Sequence, residues 1–107
     1  MGRYFITPAA DVDLEEIWQF VSRTASDARA DALEEELHGA MCKLADSPGM
    51  GHVRDDLADE SLRIWNVHQF LIVYRAGELP IQIVRVLHGA RDVQAILGNG
   101  PDLRSTD

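Results

Sequence analysis

The sequence predicts an α+β fold: an N-terminal strand, then an antiparallel helical hairpin packed on a mainly antiparallel sheet that ends in a three-stranded meander. Three observations predict it. Between Ala10 and Leu44 two apolar stripes recur at helical spacing, divided by only a few residues. Between Leu62 and His88 three apolar runs of strand length follow one another, with connections too short for crossover helices. The 107 residues amount to one domain, with its core expected over about 3–97. At this size roughly two-thirds of the extended-chain surface becomes buried, so neither a disulfide nor a metal is needed to hold the fold.

The elements follow in order. Arg3–Ile6 reads as a short strand. Thr7-Pro8 then supplies an N-cap hydroxyl and a proline at the first helical position, where its missing N–H is harmless. Asp11, Asp13, Glu15 and Glu16 place negative charge in the early turns, where it complements the helix dipole. Ala10, Leu14, Ile17, Trp18 and Val21 form one stripe. Ser26 caps a second helix whose stripe is Ala30, Leu33, Leu37, Ala40, Met41 and Leu44, with Glu34-Glu35-Glu36 partly facing water. Ser47-Pro48-Gly49 ends that helix, and a loop reaches to Ser61. Strands are expected at Leu62–Val67, Phe70–Arg75 and Ile81–His88, joined by His68-Gln69, which lacks a strong turn signal, and by Ala76–Pro80. Asp92 caps a last turn or two of helix to Leu97, Gly98–Pro101 breaks it, and the segment to Asp107 is expected to be frayed.

Strict alternation along the last strand puts Ile81, Ile83, Arg85 and Leu87 on one face and Gln82, Val84, Val86 and His88 on the other. Both faces are largely apolar. One packs against the hairpin, and the other needs cover from the chain's own termini or from a partner.

Charge is divided between the two halves. The net is -8, which argues against direct nucleic-acid binding. Residues 11–60 carry fourteen Asp/Glu against four Lys/Arg, whereas residues 61–95 carry four arginines against two acids. Guanidinium groups are rare within apolar strands. Arg63, Arg85 and Arg91 therefore mark the expected working surface, with Trp65, Arg75 and His88 beside them. The acidic half reads equally well as a solvated helix surface.

Other chemistry finds little support. His38, His52, His68 and His88 have no metal-site spacing, so no metal is expected. Cys42, the only cysteine, sits without a His/Asp motif and reads as a small core residue. Asp13 and Asp92 suit capping or pairing. Gly49-x-Gly51 is not followed by a helix signature, so no phosphate cradle or cofactor is expected. The apolar N-terminal stretch is too short for a signal peptide, and no run approaches membrane-spanning length; a cytoplasmic protein without membrane association is expected.

Five segments together resemble the ParE/RelE toxin superfamily of bacterial toxin–antitoxin modules, and ParE more closely than RelE. They are Pro8-Ala9-Ala10-x-Val12-Asp13-Leu14-x-x-Ile17-Trp18, Ser47-Pro48-Gly49-Met50-Gly51, Leu62-Arg63-x-Trp65-x-Val67, Leu71-Ile72-Val73-Tyr74-Arg75 and the run from Ile83 to Asp92. The match covers about residues 3–97, in the family's order.

The RelE branch implies ribosome-dependent mRNA cleavage, which needs groups to move protons and cations to hold the phosphate. Arg63 and Arg85 match phosphate-facing arginines of that branch, and His88 is a candidate acid or base. No tyrosine follows Tyr74, however, and the loop and sheet contain no lysine. The ParE branch implies instead an inhibitor that binds DNA gyrase, for which Arg63, Arg85, His88 and Arg91 are contact or structural residues. A third reading is a non-toxic relative that still binds its antitoxin. The resemblance also implies a hetero-oligomer with a ParD-like antitoxin, whose ribbon-helix-helix domain binds DNA and whose tail folds against the toxin. The second sheet face and the hairpin flank would receive that tail, with the sheet arginines pairing to its acidic residues.

Overall fold

The computed structural model describes residues 3–53, 61–77 and 79–89. Strand β1 (Tyr4–Ile6) leads into helix α1 (Pro8–Thr24) and helix α2 (Asp27–Asp46). A 3₁₀ turn at Pro48–Met50 and strand β2 (His52–Val53) follow, then β3 (Leu62–Val67), β4 (Phe70–Arg75) and β5 (Ile81–His88). The expected helix, turn and loop beyond Ala90, and the loop over 54–60, lie outside the described residues.

Both helices begin where the caps require. The Thr7 hydroxyl accepts from the Ala10 amide at 3.2 Å, and the Ser26 hydroxyl accepts from the Arg29 amide at 3.1 Å. The second helix ends at Ser47, whose amide closes onto the Lys43 carbonyl before Pro48. Only Ala25 and Ser26 separate the helices, so they fold back on each other with their stripes facing the sheet.

The sheet has five strands in the order β1-β5-β4-β3-β2. The antiparallel meander is present with the expected strand limits. Two pairings were not foreseen: β1 runs parallel to β5 (Tyr4 opposite Ile81, Ile6 opposite Ile83), and the two residues of β2 pair antiparallel with Ile64 and Arg63. The segment expected to be plain loop after Gly49 therefore contributes an edge strand.

Ala10, Leu14, Leu37, Met41 and Leu44 pack on Phe70, Ile72, Tyr74, Ile81, Ile83 and Val86. Burying each large apolar side chain of this kind stabilises the fold by about 1.5–3 kcal/mol. The other sheet face is also closed: Leu62, Ile64, Leu71, Val73 and Leu87 are each at most 4% exposed.

The alternation expected along β5 does not hold. Pairing steps from Val73 opposite Arg85 to Tyr74 opposite Ile83, so Val84 is an inserted, bulged residue. The bulge resets the parity. Ile81 and Ile83 share the helix-facing core with Val86, whereas Val84 packs with Leu87 on the other face.

Candidate functional site

The bulge lies where β1 ends, and there α1 takes over as neighbour to β5. Thr7 donates its amide to the Ile83 carbonyl at 3.1 Å and its hydroxyl to the Val84 carbonyl at 2.9 Å. One turn further on, Asp13 shares the sheet-facing side of α1 with Ala10, Leu14 and Ile17, as helical spacing requires. Its carboxylate is 8% exposed. It accepts from Arg85 Nε at 2.7 Å, Arg85 Nη2 at 2.9 Å and the Val86 amide at 3.0 Å. Hydrogen bonding to Asp13 holds the guanidinium of Arg85 above its usual pKa, against the opposing effect of burial. The arginine is thus a two-pronged clamp between strand and helix.

Arg63 is engaged elsewhere. It stands opposite Tyr74 in the β3–β4 pairing, and its Nη1 donates to the Gly51 carbonyl at 2.9 Å. Tyr74 is wholly buried. Its hydroxyl donates to the Pro48 carbonyl at 2.7 Å and accepts from the Gly51 amide at 2.8 Å. A Cβ on Gly51 would lie 2.7 Å from Tyr74 Cε1, so only glycine allows this approach. The Ser-Pro-Gly-Met-Gly segment and the Tyr-Arg end of β4 are thus parts of one structural node. Burial raises the Tyr74 pKa above its ordinary 10.0, opposed by the Gly51 hydrogen bond and by Arg63.

The remaining expected site residues are dispersed. Arg75 lies opposite Leu62 and donates to the Ser61 hydroxyl at 2.6 Å. Trp65 is half-buried and stacks on His52 with ring centroids 6.1 Å apart. His88 is exposed at the end of β5, its ring 5.0 Å from that of Phe70 and 6.3 Å from that of Phe20. Arg91 lies outside the described residues.

Arg85 and His88 line a groove of about 250 Å³ between α1 and β5, together with Asp13, Glu16, Phe20 and Phe70. Arg63 and Trp65 are not part of it. Among the described residues, no group of three His, Cys, Asp or Glu is placed to hold a metal ion, and no helix is long and apolar enough to cross a membrane. Sequence reasoning missed Phe20, which is 45% exposed. The signal for it was present: Phe20 follows Asp13 by seven residues and Ile17 by three, which sets it at the border of the sheet-facing side, beside the same groove. It also assigned Asp13 a capping or pairing role without identifying Arg85 as its partner, because 72 residues separate them.

Comparison with known proteins places this arrangement in context. The family model described as "ParE toxin of type II toxin-antitoxin system, parDE" matches residues 4–93. "Toxin ParE1" of Mycobacterium tuberculosis is 34% identical over 93 residues, covering 86% of this chain and 94% of that protein. "Toxin ParE1" of Caulobacter vibrioides is 29% identical over 98 residues, covering 92% of this chain and all of its own length. A chain of the solved "Chromosomal ParDE TA system from P. aeruginosa" superposes with a TM-score of 0.70 at 19% identity, covering 83% of this chain and 97% of that chain, a likeness of fold.

Proposed function

This chain belongs to the ParE toxin family of type II toxin–antitoxin systems, and we propose that it arrests cells by binding DNA gyrase and is neutralised in the cytoplasm by a ParD-like antitoxin. One observation carries the choice of an inhibitory binding protein over a nuclease. The three groups that a ribonuclease would gather around one phosphate are not assembled: Arg63 stands apart from the groove that Arg85 and His88 line. Arg63 holds the Gly51 carbonyl, Arg85 is paired to Asp13, and His88 lies beside Phe20 and Phe70. A phosphate taking the Nε–Nη2 edge of Arg85 would displace its bonds to Asp13, and acid–base chemistry requires its groups within reach of one reacting atom. Arg63, Arg75 and Arg85 act as structural residues in this reading, while Phe20, His88 and Trp65 offer surface for contact.

The test is expression of the chain alone in a bacterium. The expected result is growth arrest with a DNA-damage response and trapped gyrase–DNA cleavage complexes, relieved by co-expressing the antitoxin encoded beside it. Transcripts cut on ribosomes with gyrase unaffected would refute the proposal. Normal growth would identify a non-toxic relative.

A further inference from the structure

A second groove, of about 510 Å³, runs between α1 and α2 beside the end of β1 and shares no lining residue with the groove of Arg85 and His88. Its accessible apolar lining is Ile6 and Trp18, and its polar lining includes Asp11 and Glu15 from α1 and Asp31, Glu34 and His38 from α2. No lysine or arginine is among the residues that line it. The Trp18 indole is fixed by its N–H bond to Asp31 at 2.8 Å, so the aromatic surface is held in place rather than swinging free. Asp11 and Glu15 are four apart on one helix, and Asp31 and Glu34 three apart on the other; like charges at these spacings destabilise a helix. Two such rows facing one trough repel each other in the free chain, and cationic side chains placed between them would relieve that repulsion.

The hairpin as a whole repeats the imbalance, with ten Asp/Glu against three Lys/Arg over residues 8–46. The sheet does not offset it. Arg63, Arg75 and Arg85 are all engaged within the chain, so an acidic partner segment would find none of these three idle.

We infer that this groove receives a cationic amphipathic segment of the antitoxin, the reverse of the acidic tail that the sheet arginines alone suggest. Apolar side chains of the segment pack on Ile6 and Trp18, and its lysines or arginines pair with the four carboxylates and lie against the indole. The inference rests on the antitoxin reading of the preceding section. The antitoxin is the favoured occupant because it must capture free toxin quickly, and a charged trough accelerates encounter with an oppositely charged segment.

The experiment measures association and dissociation of the purified cognate antitoxin with the wild-type chain, with the isosteric Glu15→Gln/Glu34→Gln variant and with Glu15→Lys/Glu34→Lys, at low and high salt. Thermal melts check that each variant folds. The expected result is association slowed about tenfold or more by the lysine pair and less by the glutamine pair, with a flatter salt dependence in both. Unaltered binding by both variants, while wild type binds well, overturns the inference and leaves the antitoxin reading intact. Unaltered antitoxin binding with loss of gyrase poisoning assigns the groove to the target and also overturns it. No binding of the antitoxin by folded wild type defeats both readings.

Discussion

Replacing Asp13 with alanine removes one side chain and strands two groups. Arg85 loses both bonds of its two-pronged pair, and the Val86 amide loses its acceptor on the side of β5 that β1 no longer covers. Breaking a buried ion pair from one side costs about 3–5 kcal/mol. The Arg85 side chain keeps 26% of its exposure, so water recovers part of this and the lower end of the range applies. A stranded buried amide adds about 1–3 kcal/mol, though the two effects share a partner and do not sum in full. A total near 3–4 kcal/mol is expected against a stability of about 5–15 kcal/mol for a domain of this kind. In a thermal melt this lowers Tm by on the order of 15 °C. Asp13→Asn, which keeps an acceptor for Val86, should lose roughly half as much. The double variant Asp13→Ala/Arg85→Met should regain the part of the loss due to the unpaired ion, but not the part due to the stranded Val86 amide. An Asp13→Ala chain melting within about 4 °C of wild type, the shift expected from under 1 kcal/mol, or a double variant no better than the single, would refute the clamp as described.

Two further perturbations follow from the same structure. Tyr74→Phe leaves the Gly51 amide and the Pro48 carbonyl without partners and should cost about 1–3 kcal/mol in urea unfolding. The hydroxyls of Tyr4 and Tyr74 are both raised above 10.0, chiefly by burial, so folding favours their neutral forms. Their contribution is complete below pH 10 and declines as pH rises through the folded values; Tyr74→Phe should flatten that alkaline fall, and an unchanged slope would count against it. Gly39 lies within α2 with nothing within 4 Å of where a Cβ would stand. Gly39→Ala should therefore stabilise the chain by about 0.5–1 kcal/mol in the same assay, and a loss would reveal an unrecognised contact.

The helix limits and the meander were legible because local chemistry decides them. Thr7-Pro8, Ser26 and Ser47-Pro48 satisfy or block backbone groups within a turn of their own position. What eluded the sequence depends on distant residues or on an unusual local choice. His68 adopts φ 56 at the β3–β4 turn, a conformation usually left to glycine or asparagine, and its ring is held by Glu36 of α2 at 2.9 Å. No turn signal could announce it. The Val84 bulge defeats period-two counting, and nothing in the strand's composition locates the insertion. The arginines stand out in the sequence as anomalous within apolar strands. Their acceptors were hidden, because a buried carboxylate on α1 and two loop carbonyls meet them only in three dimensions.

The parallel pairing of Tyr4–Ile6 with Ile81–Ile83 joins the first strand made to the last. A nascent polypeptide stopped short of Ile81 holds that opening strand with no neighbour to receive it. Asp13 likewise waits for an arginine that the ribosome has yet to add. The sheet can therefore close only after residues through Ile83 have been made, so its two outer partners meet late rather than as they emerge.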